Sequence, residues 1–383
     1  MHLSSRLLAA ALPFAASLVH AQGNDNYTTG LVAALNSVGL TALASALNSP
    51  AVPPALLSAL QQGNHTVFAP NNAALGAVDP SALANLANIL AYHVTAGHVD
   101  VESLKENTTT VVRSSLAAEP AVLLPANQSQ VIVLSKATNG TLILENDDRN
   151  VHTSTNATYQ NLQVFVVDRV LRIPANFSTV VAGESQLSSL AGAVTAALPD
   201  LVPTLTRAKG LTLFAPVNSA IQAVSEQLGQ VNASTLTSIL LNHLINGTAV
   251  YSTQITEGSN LNLTSAGGEP TTFVSNSSGV FVTSGSSTAK IVKANVLTSN
   301  GVIHLIDRVL LNTDSNPGQA SSAAASYSSV QASQTSSQTG AVTAGPGTGA
   351  AGSLILGGGA AAVQLGAALG AVVVGALLGA HLL

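Results

Sequence analysis

An α+β fold, built twice in tandem, is what this sequence predicts, and three observations carry the prediction. First, Thr66-Val67-Phe68-Ala69-Pro70-Asn71-Asn72 returns as Thr212-Leu213-Phe214-Ala215-Pro216-Val217-Asn218. Ile89-Leu90-Ala91-Tyr92-His93 returns as Ile239-Leu240-Leu241-Asn242-His243, and Val167-Asp168-Arg169-Val170-Leu171 returns as Ile306-Asp307-Arg308-Val309-Leu310. The blocks keep their order over a period far longer than the roughly 20–50 residues of a solenoid repeat, so the repeat is a duplicated domain. Second, each copy opens with helical periodicity, at 31–47 and 186–198, and closes in strand-like runs. Helices first and strands afterwards is an α+β order. Third, 46% of the residues are hydrophobic and none is cysteine. Each copy can bury a core, and packing alone must hold it.

The elements follow in chain order. Arg6, the apolar run 7–18 and Val19-His20-Ala21 read as a secretory signal over 1–21, leaving Gln22 as the mature start. The first domain is placed at 22–172. Within it, Asp79-Pro80 is a helix start, because Asp caps free N–H groups and Pro fits the first turn. Leu83, Leu86, Leu90 and His93 then fall on one helical face, as do Leu236, Ile239, Leu240 and His243 in the second copy. The runs 131–134 and 141–144 flank Asn139-Gly140 and form a hairpin, with 279–282 and 290–292 as its counterpart. The runs 162–171 and 302–311 show little alternation and are expected to be strands covered on both faces. The join after Arg172 is short and contains Pro174, so a constrained pair with limited hinge motion is expected.

The second domain is placed at 177–312. Segment 313–344 is rich in Ser and Ala and is expected to be an extended, disordered stalk. No Asp, Glu, Lys or Arg follows Asp314, and 354–383 is apolar with no basic flank. Small residues at 345–353 before such a tail read as a glycosylphosphatidylinositol (GPI) attachment signal over 345–383, rather than a spanning helix.

Charged residues make up 8% of the chain, so another group must solvate the surface. Eleven Asn-x-Ser/Thr sequons supply it, at Asn26, Asn64, Asn107, Asn127, Asn139, Asn156, Asn176, Asn232, Asn246, Asn262 and Asn276. A glycan coat in place of charge is the reading. The net charge of −5 gives no electrostatic footprint for nucleic acid.

Catalytic chemistry finds no support in the spacing. The absence of cysteine excludes thiol catalysis and cysteine metal sites. Gly183-Glu184-Ser185 lacks the second Gly of a nucleophile elbow. Glu145, Asp147, Asp148 and Arg149 lack the spacing and Gly of a calcium loop and read as a solvated turn. No cofactor and no metal are expected, and the chain is not read as an enzyme. Two readings stand for the repeated helix ends. Each His is buried, bonded to backbone and fixes the end of its helix, or Tyr92, His93, Asn242 and His243 contact a partner. The Asp168-Arg169 and Asp307-Arg308 pairs read as structural hydrogen bonds or ion pairs at strand ends, with an exposed partner contact as the alternative. His304 stands where the first copy has Phe165, so it reads as a ring that fills space.

These blocks together resemble the fasciclin family of extracellular adhesion domains. The structural motif residues are Phe68, Pro70, Asn72, Asp168 and Arg169 in one copy, and Phe214, Pro216, Asn218, His304, Asp307 and Arg308 in the other. The resemblance implies two fasciclin-like modules, each a wedge or sandwich of β-strands flanked by helices. It implies cell–cell or cell–matrix adhesion, with surface or matrix proteins or glycans as partners, a second copy of the chain among them. The membrane would be reached through the lipid anchor. The expected location is the outer face of the plasma membrane or the cell wall. The alternatives are a non-binding structural wall glycoprotein and a membrane-contact factor facing a vacuole lumen.

Overall fold

The computed structural model describes residues 15–106, 108–146, 149–255 and 261–339. Most of the signal segment, Asn107, Asp147, Asp148 and the attachment signal at 345–383 lie outside the described residues.

The first module carries α1 (Ala15–Ser37), α2 (Thr41–Leu47), α3 (Pro54–Leu60), α4 (Asn72–Gly76) and α5 (Leu86–Tyr92). Its strands are β1 (His65–Pro70), β2 (Val94–Ala96), β3 (Thr109–Arg113), β4 (Val131–Lys136), β5 (Leu142–Asn146), β6 (Arg149–Tyr159) and β7 (Leu162–Val167). They form one sheet in the order β2-β1-β7-β6-β5-β4-β3. The second module repeats the plan. It has α6 (Phe177–Gly183), α7 (Ser188–Ala197), α8 (Leu201–Arg207), α9 (Asn218–Ala223), α10 (Ser225–Leu228) and α11 (Ala233–Leu241). Its strands are β8 (Leu211–Pro216), β9 (Leu244–Asn246), β10 (Asn262–Thr264), β11 (Pro270–Asn276), β12 (Gly279–Ser284), β13 (Ser287–Thr298) and β14 (Gly301–Ile306), in the order β10-β11-β12-β13-β14-β8-β9. The α+β reading holds in both copies.

The centre of each sheet explains the repeated blocks. The Phe-Ala-Pro strand β1 pairs in parallel with β7, from His65 opposite Leu162 to Pro70 opposite Val167. In the second module β8 and β14 pair identically, from Leu211 opposite Gly301 to Pro216 opposite Ile306. Both faces are covered. Ala69, Leu162, Val164 and Val166 pack with Leu31, Leu35 and Leu43 of the helices. Phe68, Phe165 and Val167 pack on the other side with Tyr92, Ile132 and Leu144. A strand buried on both faces needs apolar residues at nearly every position, which is why these runs do not alternate. Gly301 is demanded by close approach: a Cβ there would lie 1.9 Å from the Leu211 carbonyl oxygen.

Several boundaries differ from expectation. The helix expected over 31–47 is broken at Gly39, whose φ of 81° no helix accommodates. Asp79 does accept a hydrogen bond from Ser81 N–H at 2.8 Å, but the segment Pro80–Asn85 winds as a 3₁₀ helix before α5 begins. The expected strands over 162–171 and 302–311 end at Val167 and Ile306, where the Asp-Arg pairs turn the chain out of the sheet.

The largest correction concerns the stalk. Residues Pro317–Thr339 form a helix, α12, where an extended segment was expected. Pro317 opens it and Asn316 Oδ1 accepts from Gln319 N–H at 3.2 Å. Serine outnumbers alanine in this segment, so its propensity alone is modest, and most helical stability comes from docking. Here Tyr327 packs against the second module's core, and its hydroxyl accepts from Thr264 N–H at 2.6 Å. Gln331 donates to Thr248 Oγ1 at 3.2 Å and accepts from Gln128 of the first module. Composition alone misled because the helix borrows a core instead of making one. Replacing Tyr327 by Ala should remove about 2 kcal/mol of docking. Elastase should then cut within 317–331 faster than in the natural chain, and equal cleavage rates would refute the docking.

The modules also meet directly. Fully buried Gln130 donates to Thr298 carbonyl at 3.0 Å, and Leu123 N–H donates to Ser299 carbonyl at 2.7 Å. Ser299 N–H in turn donates to Ala175 carbonyl in the join at 2.8 Å. Val131, Tyr251 and Val302 form an apolar cluster between them. Unpaired, these buried polar groups would each cost about 1–3 kcal/mol, so the interface holds one orientation.

Candidate functional site

The repeated helix ends are clasps inside the fold. His93 follows α5 and is 2% exposed. Its Nδ1 lies 2.7 Å from Ile89 carbonyl, and its Nε2 accepts from Leu171 N–H at 2.9 Å. A carbonyl can only accept and an amide can only donate, so the ring is neutral with its proton on Nδ1. His243 repeats the arrangement, with Nδ1 2.8 Å from Ile239 carbonyl and Nε2 accepting from Leu310 N–H at 2.9 Å. Each ring therefore ties a helix end to the chain that leaves the central strand past its Asp-Arg pair. Burial pushes both imidazoles down to about 4, against the smaller upward pull of the carbonyl bond.

The residue before each His is also internal. Tyr92 is 1% exposed and its hydroxyl donates to Val131 carbonyl at 3.0 Å. Asn242, in the matching place, donates to Asn312 and Asp314 carbonyls at 3.0 and 2.8 Å and accepts from Ser265 Oγ at 2.7 Å. The partner-contact reading of Tyr92, His93, Asn242 and His243 is therefore corrected. All four side chains are spent on internal bonds and present no surface, as the buried reading of the histidines requires.

The remaining motif residues build the same frame. Phe68 and Phe214 are fully buried, and Pro70 and Pro216 end their strands inside the core. Phe68 stacks on Phe165 with centroids 6.0 Å apart, and Phe214 stacks on His304 at 5.5 Å. His304 fills the place of Phe165 as expected, and does more. Its Nε2 lies 2.8 Å from Val250 carbonyl, and burial pushes it down to about 4. Asn72 accepts from Ala42 N–H at 3.0 Å and donates to Gly39 carbonyl at 2.9 Å. Asn218 accepts from Ser189 N–H and donates to Ser185 carbonyl, both at 2.9 Å. Asp168 accepts from His152 N–H at 2.9 Å and Asp307 from Lys290 N–H at 2.8 Å, extending the ladders past the strand ends. Arg169 and Arg308 are exposed.

Sequence reasoning missed two structural pairs that the repeat itself could have found. Thr66 and Thr212 each brace the chain after a helix end, accepting from Val99 N–H and Val250 N–H at 2.9 Å. Asn161 and Asn300 each bind two backbone carbonyls, Leu60 and Gly63 in one copy and Leu205 and Ala208 in the other.

Of the ten sequon asparagines described, nine are exposed and Asn246 is half-buried beside α12. Asn176 and Asn232 also cap α6 and α11. Among the described residues, no three His, Asp or Glu side chains gather as a metal site, and no helix is long and apolar enough to cross a membrane.

A seven-stranded mixed sheet with a buried histidine clasp, made twice, defines a class of tandem α+β module whose signature residues serve the fold. The sequence matches the family model of the fasciclin domain over residues 31–174 and 185–312, and the chain belongs to that family. Adhesion is the role of the family at large. The chain is 36% identical over 137 residues to protein sll1483 of Synechocystis, covering 34% of this chain and 71% of that one. It is 24% identical over 229 residues to a fasciclin-like arabinogalactan protein of Arthroderma benhamiae, covering 59% of this chain and 51% of the relative. It is 27% identical over 270 residues to human periostin, covering 65% of this chain and 28% of periostin. The chain thus spans about half or less of the last two relatives. Among solved structures, a FAS1 domain pair from the insect cell adhesion molecule fasciclin I matches 75% of this chain and 98% of its own at 15% identity, with a TM-score of 0.35.

Proposed function

We propose that this chain is an extracellular adhesion glycoprotein, exported by its leader and held at the outer face of the plasma membrane or in the wall by a GPI anchor. Its two modules make the contact, with surface or matrix proteins or glycans or with a second copy of the chain. The observation that supports this most is the pair of fasciclin modules docked side by side. Two linked weak sites in a fixed geometry gain avidity that neither has alone. The exposed sequons support a glycan coat over a surface poor in charge. No enzymatic step is proposed.

Residues 22–339, made in a glycosylating secretory host and coupled to beads, should clump alone or with wall polysaccharide. Clumping should persist in part after deglycosylation and vanish on unfolding. No clumping with any of these would sink the adhesion reading. On intact cells, phospholipase specific for phosphatidylinositol anchors should release the protein, and failure to release it would refute the anchor.

A further inference from the structure

We propose that the second module holds a binding site for a single aliphatic chain, separate from adhesion. A cavity of about 250 Å³ lies between α6, α7, α8 and the sheet. Val181, Leu190, Val202, Leu213, Leu240 and Leu244 are among its walls, and no charged side chain lines it. The two hydroxyls at its edge are already engaged. Ser178 Oγ donates to Asn176 Oδ1 at 2.8 Å, and Thr195 Oγ1 donates to Ala191 carbonyl at 2.8 Å. Nothing remains to recognise a polar ligand, so the buried part of the occupant is hydrocarbon. For scale, an engineered apolar cavity of roughly 150 Å³ stays dry and takes up benzene.

The first module shows what belongs there. The equivalent space is bounded by Leu43, Leu56, Val67, Leu90 and Val94, and only about 40 Å³ is left. Asn72 and Asn218 make the same bond to Ala42 and Ser189, which aligns Leu43 with Leu190 and Leu47 with Val194. Leu40 and Leu187 occupy the caps of α2 and α7. The matching bonds to the Gly39 and Ser185 carbonyls shift the register by one residue before these helices, so Phe177 and Val181 stand where Leu31 and Leu35 stand, all four buried. The first module thus fills the space with the branched ends of its own leucines, Leu31, Leu35 and Leu47. The second has shortened two of them, Leu35 to Val181 and Leu47 to Val194. An aliphatic chain restores the missing hydrocarbon. Ala182 and Thr195 are exposed at the mouth, so a polar head can remain in water.

The test uses the glycosylated chain as secreted and the n-alkanols from hexanol to dodecanol, with dodecanoate beside them, titrated by calorimetry. Affinity should rise roughly fourfold for each methylene until the cavity is full. Dodecanol and dodecanoate should bind alike, because the head is solvated. The Val181→Leu/Val194→Leu double variant installs the first module's residues and should weaken dodecanol at least tenfold without lowering Tm. Ala182→Leu alone, at the exposed mouth, should weaken it as well and guards against a misfolded double variant. Ser178 is left untouched because it completes the Asn176 sequon. Absence of dodecanol binding, a flat chain-length series, or binding that the two variants leave unchanged would overturn the proposal.

Discussion

Acidification should unfold the second module before the first. His93, His243 and His304 are each held neutral in the folded chain at about 4, against roughly 6.5 for an exposed imidazole. The folded value lies below the unfolded one. The unfolded chain therefore binds more protons between about pH 6.5 and about pH 4, and stability falls across that window. Above it the contribution is complete, and below it the contribution is gone. Each ring accounts for on the order of 3 kcal/mol, a large part of the roughly 5–15 kcal/mol that holds a domain. The first module carries one such ring and the second carries two. Urea denaturation followed by circular dichroism should give a midpoint that drops steeply between about pH 7 and about pH 4.5, with the second module leading. His304→Phe, which copies Phe165, should reduce the pH slope of that module by one proton while lowering its stability at neutral pH, because Val250 carbonyl loses its partner. A midpoint that does not move with pH would show that the rings are not held neutral.

Phe214→Ala should destabilise the second module by about 3–5 kcal/mol. The ring is fully buried and lies 5.5 Å from both Phe273 and His304, so truncation opens a cavity at the centre of the sheet and unseats the histidine. Arg308→Ala, in the neighbouring block, should change stability by no more than about 0.5 kcal/mol, since Arg308 is exposed. The two variants separate motif residues that hold the fold from those available to a partner. The measurement is the urea midpoint at constant slope, together with the secreted yield. Equal effects from the two substitutions would mean that the block does not divide this way.

Much of the frame was legible before any coordinates. A lone apolar run is ambiguous, but the same run twice, beside the same Phe-Ala-Pro and Asp-Arg blocks, marks a central strand. The Phe165-to-His304 exchange marked this position as a space-filling ring, and the structure stacks it on Phe68 in one copy and Phe214 in the other. The candidate site was less legible. Tyr92-His93 could face inward or outward on sequence alone, because a helix end offers both. Only the bonds to Leu171 N–H and Val131 carbonyl, each from a segment remote in sequence, decide for the interior. The same holds for Gln130, whose partner Thr298 lies in the other module and leaves no local trace.

By itself, the sequence determined the duplication, the α+β class and the doubly covered central strands. These follow from composition and short-range pattern, which the chain carries residue by residue. Tertiary structure decided the rest. It turned the Ser/Ala segment into α12, because a helix without a core of its own is stabilised only by the surface it docks on. It closed the histidine clasps, fixed the two modules against each other and left one apolar space filled and its twin open. Each of those outcomes depends on which distant side chains meet, and small changes of volume at those meetings, Leu35 against Val181 or Leu47 against Val194, are invisible until the packing is known.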